Sequence, residues 1–472
     1  MTTIGLDSLR QELQDCGQSH LLRFWQDLTD QQQKQLVAQI EQIDFDLLQR
    51  LSAGQQAEED WSALAARSSE PSAIRLKSSV REARFNAEEA RQRGEQMLRE
   101  GRVAAVLVAG GQGSRLGFDH PKGMFPLGPV SNRTLFEIHV DRLRALAARF
   151  GVVIPLYLMT SPATHEETIE YMQSNEFLGL AESDVIVFCQ GTMPAIDAQT
   201  GQVLLEAPDR LFLSPDGHGG TLAALDKAGC LEDMRQRGVD CLFYFQVDNP
   251  MVAIADPTFI GYHLLAESEL TSQVVAKQDP LEKVGCVVSV DGKLRIIEYS
   301  DLPDTAAQER NADGSLKIWA GSIAVHAFDV GFLQRMRDWT DALPFHRALK
   351  KVPYIDQRGH RIDPDQPNAI KFERFIFDLL PSANQALVVE VAQSEGFAPL
   401  KNGMGAAADT AETCRAALVG QHISWLKSAG VEVADGVLVE INPRLAQDAQ
   451  EVAAMLERGT AITKNAYLDQ AK

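Results

Sequence analysis

Long apolar runs are missing from this chain: none approaches the roughly 18 residues that a membrane-spanning helix needs. The N-terminal stretch MTTIGLDSLRQELQDCG has no basic segment followed by an apolar one, so a secretory signal is not expected there and a cytoplasmic location is. Cysteine is sparse and scattered. The six residues Cys16, Cys189, Cys230, Cys241, Cys286 and Cys414 include no Cys-x-x-Cys pair. That argues against a disulfide framework or a thiolate metal site and for reduced core thiols. Positive charge is also short, with 45 Lys and Arg against 65 Asp and Glu and a net charge of −20. Such a chain repels nucleic-acid backbones. An anionic substrate has to be drawn by local cations against the overall field. Internal repeats and low-complexity runs are absent. What remains is ordinary globular composition, 45% apolar and 23% charged over 472 residues. That length exceeds what one core sustains and implies two or three domains.

The most informative stretch is Val103 to Arg133. Six apolar residues, Val103 to Val108, suit a strand buried on both faces of a parallel sheet. The chain then breaks into Gly110-Gly111-Gln112-Gly113-Ser114-Arg115-Leu116-Gly117. Glycines let backbone N–H groups approach a ligand closely, and amides turned into a concavity suit phosphate oxygens. Arg115 and Lys122 add positive charge a few residues on. A Walker loop is excluded, because Arg115-Leu116-Gly117 stands where Gly-Lys-Ser/Thr is required. A dinucleotide fingerprint is excluded too, because Leu116 occupies its third glycine position. A nucleoside triphosphate site fits the combination better than an idle turn.

Residues 1 to about 95 read as helices. Thr29 or Asp30 caps a run with Leu36, Val37, Ile40 and Ile43 on one face. A further helix spans Ala87 to Arg99 and stops at Gly101. Residues 66 to 80, polar and Ser-rich, read as a linker. From Gly101 onward strands and helices alternate: a helix over Thr134 to Phe150, strands at Val152 to Met159, Val185 to Cys189 and Cys241 to Val247. This predicts an α/β protein with a mostly parallel sheet and ligands at the carboxyl ends of its strands. Asp291-Gly292 marks a hairpin turn. An apolar helix is expected at Phe372 to Leu380, with helices at Thr410 to Ala429 and near Arg444 to Arg458. The expected domains are 1–98 (helical, for packing or docking), 99–403 (catalytic) and 404–472 (small α+β).

The signature Leu107-Val108-Ala109-Gly110-Gly111-Gln112-Gly113-Ser114-Arg115-Leu116-Gly117, followed by Pro121-Lys122-Gly123-Met124, resembles that of the UDP-N-acetylhexosamine pyrophosphorylases. These belong to the wider family of UTP-dependent sugar-1-phosphate uridylyltransferases. The resemblance runs in order to about residue 402. It implies a Rossmann-like, GT-A type sheet and catalysis with Mg2+ (or Mn2+) on Asp248. It implies UTP contacts at Leu107, Ala109, Gly110, Gly111, Lys122, Gln190, Gly217, Asp248 and Lys371, with Gln190 reading uracil. It implies sugar contacts at His218, Gly285, Glu298, Tyr299, Ser322 and Lys401. The catalytic cations are then Arg115, Lys122, Lys371 and Lys401. Two positions depart from the pattern, since the N-acetylhexosamine enzymes usually carry Asn at the places of His218 and Ser322. N-acetylglucosamine 1-phosphate is the first expectation for the sugar, with glucose 1-phosphate or a broad range second. A sugar-nucleotide sensor without catalysis is a third reading, which the retained cations and Asp248 disfavour. A sugar kinase is a fourth, and the loop chemistry argues against it. The partners expected are UTP and a sugar 1-phosphate, in a monomer or weak homo-oligomer.

Overall fold

The computed structural model describes residues 5–53, 60–76, 85–339 and 343–469. The chain forms two compact units, each assembled from segments distant in sequence. The smaller contains Met1–Asp60, Gln190–Thr221 and Leu343–Asp378, and the larger contains Trp61–Cys189, Leu222–Ala342 and Leu379–Lys472. These boundaries cut across the consecutive domains 1–98, 99–403 and 404–472.

In the larger unit the main sheet is built on β1 (Val103–Val108), β2 (Leu156–Thr160), β3 (Val185–Cys189), β4 (Cys241–Gln246), β5 (Leu270–Ala276), β6 (Ala320–Asp329) and β7 (Ala386–Glu390). Its spatial order is β7-β5-β6-β4-β1-β2-β3. All pairings are parallel except the two made by β6, which runs antiparallel between β5 and β4. The α/β expectation holds. Val103 to Leu107 are at most 1% exposed, as a strand covered on both faces requires.

Residues 66–80 do not form the expected linker, as far as they are described. Ser68–Ser69 pairs antiparallel with the strand Cys286–Val290, and Ala73–Ile74 pairs parallel with β7. Sheet edges recruit backbone groups, so polar side chains are no obstacle there. The hairpin at Asp291-Gly292 is present, joining Cys286–Val290 to Lys293–Ile297, with positive φ at both turn residues.

Among the helices, α1 (Asp30–Ile40) carries a capping box on Thr29 and buries Leu36 and Ile40. It packs in the core of the smaller unit with Ile196, Val203 and Phe372. Gln39 Oε1 accepts from Leu211 N at 2.9 Å, and Gln18 Oε1 from Val203 N at 2.9 Å. The first helices thus share one core with segments about 150 or more residues downstream. By contrast α2 (Ala87–Arg99) belongs to the larger unit, against α4 (Pro257–Leu265). Gly94 and Gly261 lie at that crossing, where an added Cβ would meet Pro257 O at 1.8 Å and Ala90 O at 1.6 Å. Helix α3 (Leu135–Phe150), capped by a second box on Thr134, covers the same sheet.

Two other elements differ from expectation. Phe372 lies in the strand Ala369–Glu373, and a 3-10 turn, Ile376–Ser382, replaces the apolar helix. The apolar run is real, but β-pairing of Ala369–Glu373 with His346–Lys350 takes its first residues, and Pro381 limits the short turn that follows. The helix near Arg444 to Arg458 is shorter, Ala449–Met455. The C-terminal part has its own small core around Trp425, Val439 and Val452, which includes the end of α5 (Ala411–Ser428). It is nonetheless keyed to the signature region. The Glu440 carboxylate, 5% exposed, accepts from Val130 N at 2.8 Å, Ser131 N at 2.7 Å and Ser131 Oγ at 2.7 Å.

Candidate active site

In the larger unit, β1 and β4 lie side by side and parallel, with Val108 opposite Gln246. The residues after each strand therefore leave the sheet together, at its carboxyl edge. After β1 comes the glycine bend, after β4 comes Asp248, and Val247 N donates to Val108 O at 3.0 Å. Leu107 and Ala109 are buried in the strand end, at 1% and 0% exposure. Gly110 accepts through its carbonyl from Ser161 Oγ at 2.6 Å, and Gly111 lies exposed at the bend. The loop returns on itself, and Lys122 N donates to Gly111 O at 3.0 Å. That closure brings the Lys122 ammonium to 4.0 Å from Asp248 Oδ2 and 3.2 Å from Leu400 O. Leu400 N in turn donates to Asp248 O at 2.8 Å, which fixes Lys401 beside the same edge.

Lys401 N donates to Asp409 O at 2.8 Å. The Asp409 carboxyl is pushed above the usual carboxylate range by burial; Lys401 opposes the shift and Asp248 adds to it. Sequence reasoning passed over Asp409. Its only local sign is its place before Thr410, the cap of α5, and nothing there links it to Lys401. Arg115 is exposed, and its carbonyl faces Gly403, where an added Cβ would stand 2.6 Å away. Lys122, Asp248 and Lys401 therefore gather at one edge, with the Arg115 backbone against the loop that follows Lys401.

Magnesium bound through one or two carboxylates plus phosphate oxygens is a common arrangement. Asp248, with its side chain 14% exposed, and Asp409 near it fit that donor set. Among the described residues no group of three or more His, Cys, Asp and Glu side chains could hold a metal on protein ligands alone.

A second cluster in the larger unit contains Gly285, Glu298 and Ser322. Ser322 N donates to Gly285 O at 2.8 Å, and a Cβ on Gly285 would stand 3.1 Å from Glu298 Oε1. The strand β6 is irregular here, with a register shift opposite Gln273/Val274 and a φ of 54° at Ala324. Such a bulge re-aims nearby side chains. Tyr299 is 48% exposed.

In the smaller unit, the segments at Gln190, Gly217 and Lys371 meet. Gln190 is 8% exposed. Asp216 N donates to Gly191 O at 3.1 Å, and Arg374 N to Asp216 O at 2.8 Å. Gly217 has φ 81°, and a Cβ there would stand 2.4 Å from Arg374 O. The close approach that this glycine permits is thus to the Arg374 backbone. Arg374 also pairs with the Asp216 carboxylate, a partnership the sequence did not signal. His218 rests against Phe375 and Phe377, with ring centroids at 5.3 and 5.4 Å. Its Nδ1 accepts from Ile376 N at 3.3 Å, which leaves the ring proton on Nε2. Burial pulls its pKa down to about 4, so the ring is neutral near pH 7 and Nε2–H is a donor. Lys371 lies with Nζ 5.0 Å from the Phe212 ring centre, and burial lowers its pKa while Glu373 opposes the shift.

A glycine bend, two lysines and a carboxylate at the carboxyl edge of a parallel sheet fit a nucleotidyltransferase of the sugar-nucleotide type, the class that the resemblance implies. The family model described as UTP–glucose-1-phosphate uridylyltransferase matches residues 45–418. A UDP-N-acetylhexosamine pyrophosphorylase-like protein 1 of Mus musculus is 38% identical over 442 residues, 90% of this chain and 86% of its own. The UDP-N-acetylglucosamine pyrophosphorylase of Saccharomyces cerevisiae is 35% identical over 456 residues, 93% of this chain and 95% of its own. The crystal structure of the corresponding Trypanosoma brucei enzyme with an inhibitor aligns with a TM-score of 0.79 at 27% identity, covering 95% of this chain and 94% of that one. A UDP-glucose pyrophosphorylase mutant of Leishmania major shares the fold alone, with a TM-score of 0.59 at 16% identity over 96% of this chain and 87% of that one. This chain belongs to the UTP–glucose-1-phosphate uridylyltransferase family and is a uridylyltransferase.

Proposed function

We propose that the chain makes UDP-N-acetylglucosamine and pyrophosphate from UTP and N-acetylglucosamine 1-phosphate. The observation that carries this reading is the identity of 35–38% over nine-tenths of the chain to proteins named for N-acetylhexosamine or N-acetylglucosamine. The glucose enzymes are more distant, at 16%.

The sugar phosphate oxygen attacks the α-phosphorus of UTP in line. The bond from that phosphorus to the bridging oxygen of the β-phosphate breaks, and pyrophosphate leaves. The nucleophile is already an anion, so no general base is required. Positioning and electrostatics carry the rate. Lys122 and Arg115 hold the β- and γ-phosphates and stabilise the leaving group. Lys401 orients the attacking phosphate. In the smaller unit, Lys371 takes an α-phosphate contact and Gln190 offers its amide to uracil, as the resemblance implies. Asp248, with Asp409 close by, would hold a magnesium ion. When bound, that ion supplies Lewis-acid stabilisation of phosphate charge. Until substrate arrives, the Lys122 ammonium partly offsets the Asp248 charge.

Gly285, Glu298, Tyr299, Ser322 and His218 are the proposed sugar contacts. A second reading, with glucose 1-phosphate or a broad range of sugars, is favoured by His218 and Ser322, both different from the Asn expected there. A panel of sugar 1-phosphates with UTP decides between them by kcat/KM. The N-acetylglucosamine ester is expected to rank first, and a higher value for glucose 1-phosphate overturns that choice. The protein is proposed to work in the cytoplasm, and no described helix is long and apolar enough to cross a membrane.

A further inference from the structure

The stretch that follows Asp248 runs into the wall of a cavity of about 790 Å³, which none of the roles above employs. All of its described lining lies in the larger unit. Leu146, Met251, Tyr262 and Trp425 give it apolar walls. Arg142, on α3, lines it as well and is only 4% exposed. Its Nε has no hydrogen-bond partner. Among the described residues no carboxylate forms an ion pair with it, and burial alone draws its pKa down to about 10. The nearby imidazoles of His139 and His422 do not offset the charge. Burial holds both neutral, with pKa values of about 4 and about 3, and the Arg142 charge pushes them the same way.

The acidic groups that line the cavity have partners other than Arg142, and Glu88 pairs with Arg91 at 2.7 Å. Asp256 accepts from Phe259 N at 2.8 Å, Glu390 pairs with Arg75 at 2.8 Å, and Asp448 accepts from Gln450 N at 2.8 Å. Glu395 accepts from Gln421 Nε2 and Trp425 Nε1, both at 3.2 Å. Gln421, itself 5% exposed, keeps a buried Oε1 without a partner. A buried guanidinium without an ion-pair partner is costly, and an anion in contact with it offsets that cost. The cavity is large enough for a small organic ligand, and its walls suit an apolar body.

We propose that this cavity is a binding site for a small amphipathic anion, its acid group on Arg142 and its apolar body against Leu146, Met251, Tyr262 and Trp425. It is distinct from the phosphate-binding edge, since Lys122, Asp248 and Lys401 do not line it.

The test uses 1-anilinonaphthalene-8-sulfonate, a sulfonate on an aromatic body, titrated into the full chain and followed by fluorescence. Saturable binding of one probe per chain is expected, undisturbed by saturating UTP. Arg142→Met is expected to weaken it at least about tenfold and Arg142→Lys by only a few fold. Arg142→Met is also expected to melt no lower than the parent, because an isolated buried charge gives way to an apolar side chain. Leu146→Trp, which fills the cavity and leaves the guanidinium in place, is expected to abolish binding, and it decides the matter if Arg142→Met does not fold. Absence of saturable binding, displacement by UTP, or binding unchanged in Leu146→Trp overturns the proposal.

Discussion

Lys122 stands 4.0 Å from Asp248, and the two are proposed to serve the phosphates and a metal respectively. Each partly offsets the other's charge, and substrate is proposed to divide them between leaving group and metal. Removing either group takes away stabilisation that is strongest in the transition state. Lys122→Ala and Asp248→Asn are each expected to lower kcat about 10²–10³-fold, roughly 3–4 kcal/mol, by analogy with loss of one oxyanion donor. Pyrophosphate release measures this, and near-normal turnover removes the assigned role. His218 poses a narrower question. Its Nδ1 is occupied by Ile376 N and its Nε2–H is a donor, whereas Asn offers both donor and acceptor. His218→Asn is expected to shift the ranking of sugar 1-phosphates further toward the N-acetyl sugar. An unchanged ranking shows that the selector lies elsewhere, Ser322 being the next candidate.

At the scale of elements, α2 and α4 of the larger unit cross in close contact. Alanine is the better helix former by about 1 kcal/mol over glycine, so Gly94→Ala would stabilise an unpacked helix. Here the new Cβ would stand 1.8 Å from the Pro257 carbonyl oxygen, which is backbone and cannot swing aside. Overpacking of this kind costs about 1–3 kcal/mol and outweighs the propensity gain. Gly94→Ala is therefore expected to lower Tm, and a raised Tm would show that the helices do not cross this closely. The pairing of β1 with β4 is the other decisive element. Its parallel register delivers the glycine bend and Asp248 to the same edge, which no single segment could do.

The whole molecule contains several imidazoles drawn well below their usual pKa near 6.5. His139, His218 and His263 sit at about 4 and His422 at about 3, in each case chiefly through burial. Between pH 6.5 and 4 the unfolded chain binds more protons at these sites than the folded one, so stability falls as pH drops through that window. Each histidine contributes about 1.4 kcal/mol per pH unit at most. Asp141, Asp256, Asp329 and Asp409, raised by burial, work the other way from the carboxylate range upward. Melting curves from pH 7 to 4.5 are expected to show Tm declining, and His263→Gln is expected to flatten the decline. His263 is suited to this because its Nδ1 shares a proton with Thr271 Oγ1, at 2.9 Å, and it is none of the residues assigned to the site. A profile as steep in the variant as in the parent would show that His263 is not buried neutral.

Much of this was written locally. Val103 to Val108 is apolar enough to be a doubly covered strand, Thr29 and Thr134 cap the helices they precede, and Asp291-Gly292 turns its hairpin, because each depends on neighbours a few residues away. The signature likewise carried the bend and its two cations. What local reading could not reach depends on chain segments far apart. Ser68–Ser69 becomes a strand only because a sheet edge is there to receive it, and Phe372 joins a strand because His346–Lys350 lies alongside. Asp409 beside Lys401, Arg374 on Asp216, and Arg142 in the wall of a cavity follow from which surfaces the fold brings together. Sequence determined the class of chemistry, since the glycine bend and its signature are written in consecutive residues. Tertiary structure decided how the units are assembled and which charges face a partner, since burial and pairing are properties of the packed chain.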